Sequence, residues 1–210
     1  MYKLVIFDFD GTLADSFGWF LDVFDTVADR FRFRRLERDH IDRLRGLSTR
    51  DLLRHHGVPL WKVPMIAAHA RKLQGQDLQA ITVFAGMDAV VAQLHEKGVR
   101  LALVTSNAHA NVARILAPET LAAFDQVSCG ASLLGKTAKF RAVLNAARLA
   151  PADALAIGDE LRDIAAARAS GIAAGAVGWG YALPERLRRE GPDHLFAAPK
   201  DISALFEKRD

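Results

Sequence analysis

Short, wholly apolar runs recur along the chain at residues 4–7, 99–104, 154–157 and 172–177. Strands buried on both faces read this way, because a parallel sheet covered by helices has no wet face to alternate against. Between these runs the apolar positions change to helical spacing. Residues 87–97 (MDAVVAQLHEK) end at Gly98, placed as the glycine just beyond a helix, and residues 140–149 and 164–170 follow the same logic, the latter closed by Gly171. Strand and helix alternate, which predicts an α/β fold with a doubly wound parallel sheet. Ligands of such sheets bind beyond the carboxyl ends of the strands, so polar residues just after the runs are the candidate site residues.

One segment breaks the alternation. Residues 16–82 show helical periodicity and no strand pattern: Phe17, Phe20, Leu21, Phe24 and Val27 share one stripe, Ile41, Leu44 and Leu47 another, followed by Leu52 and Leu53. Gly57-Val58-Pro59 and Val63-Pro64 punctuate it. The segment reads as a helical insert, leaving residues 1–15 and 83–210 as the α/β core, with Phe84-Ala85-Gly86 returning the chain to the sheet. The aromatic stripe reads as core rather than cofactor site. Trp19 and Trp61 either line a pocket or pack within the insert.

Composition narrows the class without choosing a function. Half the residues are apolar, a quarter are charged, and the formal net charge is +3 with a pI of about 9.2. Basic residues cluster at 30–45 and 186–189, but Asp39, Asp42 and Glu37 interleave the first cluster. Both read as solvated helix faces rather than a nucleic-acid surface, while a modest positive field still draws in an anionic substrate. Cys129 is the one cysteine, so no internal disulfide is possible. It lies in the apolar stretch 124–134 and reads as a small buried hydrophobe. The N-terminus lacks the pattern of a signal peptide, and no run reaches the ~20 apolar residues of a membrane span. A cytoplasmic protein is expected, with no membrane or nucleic-acid partner, as a monomer or homodimer.

The chemistry concentrates after the strands. Asp8-Phe9-Asp10-Gly11-Thr12 follows the first run. Residues two apart in an extended chain face the same way, so the Asp8 and Asp10 carboxylates are expected to converge, which requires a cation or a shared proton. Thr105-Ser106-Asn107 follows the second run, and a hydroxyl with turn N–H groups can hold phosphate oxygens, although Thr and Ser are common at turns in any case. Lys136 stands before a helical pattern. Gly158-Asp159-Glu160-Leu161-Arg162-Asp163 follows the third run and puts Asp159 and Asp163 on one face of a turn or helix start. All these positions share one rim of a parallel sheet. Four carboxylates, a hydroxyl and a lysine there describe a hard-cation site beside an anion site, and all-oxygen ligands favour Mg²⁺ over Zn²⁺.

These four motifs, in this order, resemble the haloacid dehalogenase superfamily of hydrolases, and the insert resembles the α-helical cap of its phosphoglycolate-phosphatase-like branch. Trp179-Gly180-Tyr181 and Gly191-Pro192-Asp193 resemble the C-terminal region of that branch. The resemblance implies a Rossmann-like core under a cap, and a Mg²⁺-dependent phosphatase that hydrolyses a small phosphorylated metabolite. Asp8 would be the nucleophile, Asp10 the general acid and base, Thr105 a phosphoryl holder helped by Ser106 and Asn107, and Lys136 the neutralising cation. Mg²⁺ would sit on Asp8, the Asp10 backbone carbonyl and Asp159, with Asp163 supporting that shell. Many members carry Lys-Pro-x-Pro at the third motif; here Gly135-Lys136-Thr137-Ala138-Lys139 leaves Lys139 as a rival.

Three other readings compete. A phosphosugar mutase would use the same aspartates with a sugar hydroxyl as acceptor. A dehalogenase needs neither Asp10 nor the later acidic pair, and a non-catalytic binding protein would have lost one of these charges. Arg45-Gly46-Leu47-Ser48 resembles a cap loop of phosphoglycolate-type members, so Arg45 is either a ligand for a substrate carboxylate or a surface arginine. His55-His56 reads as a solvated helix end.

Overall fold

The four apolar runs form the centre of a six-stranded, wholly parallel sheet. The computed structural model describes residues 2–130 and 135–207. Its strands are β1 (Leu4–Phe7), β2 (Ala14–Asp15), β3 (Thr82–Val83), β4 (Arg100–Val104), β5 (Gln126–Ser128), β6 (Ala154–Gly158), β7 (Ala173–Val177) and β8 (His194–Phe196). The main sheet runs β5-β4-β1-β6-β7-β8, and β2 and β3 form a separate antiparallel ribbon. β5 and β8 lie at the edges with three residues each. Short edge strands carry no continuous apolar run, which is why the periodicity gives no sign of them.

The helices are α1 (Phe17–Phe31), α2 (Ile41–Arg45), α3 (Thr49–His55), α4 (Val63–Gln76), α5 (Met87–Glu96), α6 (His109–Ile115), α7 (Pro118–Ala122), α8 (Lys136–Ala147), α9 (Leu161–Ala169), α10 (Pro184–Arg189) and α11 (Pro199–Ala204). Side chains alternate across the strands and build two cores. Val5, Phe7, Leu101, Leu103, Leu155 and Ile157 face α5, α6 and α11. Leu4, Ile6 and the small Ala102, Ala154, Ala156, Ala174 and Ala176 face α8, α9 and α10. The alanines let α8 and α9 lie close to the sheet, which brings their first turns to its rim.

Helices α1 to α4 occupy the stretch between β2 and β3, and the ribbon pairs Ala14 with Val83 and Asp15 with Thr82 at its two ends. Phe24 packs against Phe20, Phe33 and His56. His56 is therefore not the solvated residue expected: it is 2% exposed, and its Nδ1 donates to the Arg34 carbonyl oxygen at 2.9 Å. Trp19 is buried, whereas Trp61 is 68% exposed, with the Lys62 ammonium over its ring. The basic stretch is paired locally, Arg35 forking onto Asp29 with both exposed. Cys129 is half-buried against the first core, and residues 131–134 of its apolar stretch lie outside the described residues. Among the described residues no helix is long and apolar enough to cross a membrane.

Candidate active site

β1 lies between β4 and β6, with Phe7 opposite both Leu103 and Ile157. Asp8, Thr105 and Asp159, the residues that follow or nearly follow these strands, therefore reach the same carboxyl-end rim. The backbone N–H of Asp8 still donates to the Ile157 carbonyl at 2.9 Å, so the nucleophile candidate is anchored in the sheet. Lys136 opens α8 and Asp163 lies in the first turn of α9, both rising from the other face. The Lys136 ammonium donates to Asp8 Oδ2 at 2.5 Å and also to Asp163 Oδ1. Asp163 Oδ2 accepts from the Glu160 N–H at 3.0 Å and so caps its own helix.

Asp159 is wholly buried. It accepts from the Thr12 hydroxyl at 3.1 Å and from the Tyr181 N–H at 2.7 Å. Two glycines make room for it. A Cβ on Gly11, which turns with φ of +76°, would come within 2.1 Å of Asp159 Oδ2, and one on Gly180 within 2.3 Å of Asp159 Cβ. Oxygens of Asp8, Asp159 and Asp163 lie within 4.8 Å of one another.

The charges do not balance with protein groups alone. Burial pushes the Asp8 carboxyl up to about 6, against the pull of Lys136. Burial, then Glu160, Asp163 and Asp8, push Asp159 well above the usual carboxylate range. Burial also acts on Asp163, but Lys136 and Arg162 outweigh it and hold that group low. Lys136 keeps its proton through Asp163 and Asp8 although burial opposes it. Among the described residues, the donors to the Asp159 carboxyl are neutral, one hydroxyl and one amide. Buried carboxylate oxygens this close, one of them without a cationic partner, fit a hard divalent cation.

A family model described as haloacid dehalogenase-like hydrolase matches residues 5–177. The chain belongs to this hydrolase family. It is 30% identical over 201 residues to a phosphoglycolate phosphatase of Synechococcus elongatus, covering 95% of each chain. It is 31% identical over 183 residues to the tyrosine-protein kinase PtkA of Mycobacterium tuberculosis, covering 85% of this chain and 63% of that one. A solved haloacid dehalogenase-like family hydrolase from Streptococcus pneumoniae superposes with a TM-score of 0.79 at 21% identity, over 98% and 99% of the two chains. The fold is thus the α/β fold of these hydrolases, and the chain is an enzyme.

In this hydrolase the Asp10 carboxylate does not join the other three. The strand ends at Phe7 and the Gly11 turn follows, so period-two alternation no longer applies. Asp10 instead accepts from Gln74 Nε2 at 3.0 Å and from Asn107 Nδ2 at 3.0 Å. Thr105 is buried, its hydroxyl oxygen accepting from the Asn107 N–H at 2.9 Å. The Ser106 carbonyl accepts from Arg71 at 3.1 Å. Lys139 lies inside α8, half-buried, and makes no ion pair with the carboxylates among the described residues.

Arg45 makes a contact its sequence context does not foretell. Its Nε donates to the Tyr181 carbonyl at 2.9 Å and its Nη2 to the Gly180 carbonyl at 3.0 Å, with the guanidinium over the Phe17 ring. It ties the insert to the peptide that holds Asp159. Gln74, Arg71 and Thr49 are further contacts across the same seam, Thr49 donating to Glu160 at 3.2 Å. No motif marks them. The one available signal is the spacing of Arg71 and Gln74 on a single helix face.

Proposed function

We propose that this hydrolase is a Mg²⁺-dependent phosphatase that cleaves a small phosphate monoester through a phospho-aspartate on Asp8. One observation carries the reading: three buried carboxylates at the sheet rim, two of them sharing the Lys136 ammonium, beside the Thr105 hydroxyl. Asp8, Asp159 and Asp163 would hold Mg²⁺ with the Asp10 carbonyl, and the ion would supply charge that lets an anionic nucleophile meet an anionic ester. The Asp8 carboxylate attacks phosphorus while Asp10 gives its proton to the departing ester oxygen. Water then attacks the phospho-aspartate, Asp10 takes the proton, and phosphate and the Asp8 carboxylate are released. Lys136 and Thr105 hold charge on the phosphoryl group. Gln74 and Asn107 orient Asp10 from either side of the seam.

The division into an α/β core (1–15 and 83–210) and a helical cap (16–82) belongs to this proposal, as do a cytosolic setting and a small-metabolite substrate. The relatives' name makes 2-phosphoglycolate the first ester to try, with sugar phosphates second. The test is p-nitrophenyl phosphate turnover with and without Mg²⁺, in wild type, Asp8→Asn and Asp10→Asn. Loss of turnover in EDTA and in both variants is expected; halide release from a haloacid in EDTA would overturn it. A second reading, phosphoryl transfer to an acceptor hydroxyl, is favoured by the likeness to PtkA. Phosphorylated acceptor formed in place of inorganic phosphate would establish it.

A further inference from the structure

A cavity of about 310 Å³ opens from the sheet rim into the helical insert, within the range of small-molecule sites. Its rim wall is formed by Asp10, Ser106 and Asn107, so it is continuous with the place where the phosphoryl group would sit. Its other wall is carbon: Phe24, Phe33, Leu36, Leu53, Val63 and Ile66 among others. His56 lies among them, with Thr49, Gln74 and Tyr181 also on the lining, and burial favours the neutral form of His56. The charged residues on the lining stand at the seam, where each makes at least one contact of its own. Arg45 holds two backbone carbonyls and lies 3.5 Å from Asp42, Arg71 donates to Ser106, and Arg162 pairs through Nη2 with Glu160 at 2.6 Å while its Nε and Nη1 are buried without a hydrogen-bond partner among the described residues.

An ionised group carried past the seam into the carbon-lined part would lose its hydration. An apolar guest seated there would exchange contact with water for packing against these side chains. Resting on the phosphatase reading above, we propose that the alcohol portion of the substrate is an uncharged apolar group that fills this cavity. The cavity has room for roughly two benzene-sized rings, since a void of about 150 Å³ takes one.

The experiment compares 1-naphthyl phosphate, 2-phosphoglycolate and acetyl phosphate with Mg²⁺ present. Wild type is expected to show kcat/KM at least tenfold higher for 1-naphthyl phosphate than for 2-phosphoglycolate; any smaller ratio overturns the proposal. No turnover of any of the three would instead defeat the phosphatase reading. Ala67→Phe, on the α4 wall of the cavity, is expected to lower kcat/KM for 1-naphthyl phosphate at least tenfold more than for acetyl phosphate. Equal effects on both esters, or none, would count against the cavity. Binding without catalysis is read from 1-naphthol, which should raise the wild-type Tm in EDTA. An unchanged Tm contradicts the proposal even if Ala67→Phe does not fold.

Discussion

The rim site and the cavity above it are built on opposite principles. At the rim the acids are held by specific partners: Lys136 lies between Asp8 and Asp163, Asp159 accepts from Thr12 and Tyr181, and glycines stand where a methyl group would not fit. In the insert, large apolar side chains such as Phe33, Leu36, Leu52 and Leu53 are only partly covered around open space. Phosphoryl transfer needs charges fixed in advance, because reorganising them during the reaction would raise the barrier. Choice among alcohols needs shape and apolar surface, which can vary without disturbing the charges. On the proposed reading, the difference teaches that the reaction and its specificity would reside in separate parts of one chain, joined by a few seam contacts.

The sharpest way to break this contrast is to remove one rim charge. Asp8→Asn is expected to lower kcat for p-nitrophenyl phosphate by about 10⁴-fold or more, the scale seen when a nucleophile is lost. Retained turnover would place the chemistry elsewhere. Lys136→Met leaves two buried carboxylates facing each other without their ammonium. Urea unfolding in EDTA should show a loss of about 3–5 kcal/mol, because the orphaned charges remain buried. A loss near zero would mean that Asp8 and Asp163 are not held by this residue.

The pH dependence follows from Asp8. Without Mg²⁺ its folded value is raised to about 6, from 3.8 when unfolded. The folded state therefore holds the proton more tightly. This stabilisation is present in full below the unfolded value and is lost as pH rises through the folded one. In EDTA, stability should fall across that window by an amount on the order of 3 kcal/mol, and saturating Mg²⁺ should flatten the profile. The same profile with and without Mg²⁺ would argue against a cation among these carboxylates.

Gly180→Ala sharpens the comparison at the seam, where the added Cβ would crowd Asp159 and the Gly11 carbonyl. The Mg²⁺ concentration for half-maximal activity should rise about 10–100-fold, as when outer supports of metal ligands are disturbed. The smallest effect is expected in the cavity wall. Leu103→Ala in the sheet core should cost about 2–5 kcal/mol in chemical unfolding, whereas Leu53→Ala, already beside open space, should cost less than ~1 kcal/mol. Equal costs would show that the insert is packed as tightly as the sheet.

Much of this was legible in the residue order. The runs at 4–7, 99–104, 154–157 and 172–177 became β1, β4, β6 and β7 almost residue for residue, since strands buried on both faces must be apolar throughout. The edge strands β5 and β8 were not, because an edge can carry polar residues. Likewise, the helix-opening Lys136 lies earlier than the apolar pattern at 140–149 implied, since the first turn of α8 reaches the rim rather than the core.

By itself the order of residues determined the α/β class, the helical insert and which residue types stand after each central strand, because those are properties of local periodicity along the chain. Only the tertiary structure decided that Asp10 turns away to Gln74, that Arg45 grips Gly180 and Tyr181, and that the insert encloses apolar space. Each of these depends on how distant segments pack and how far apart they remain, and neither spacing nor composition carries that distance.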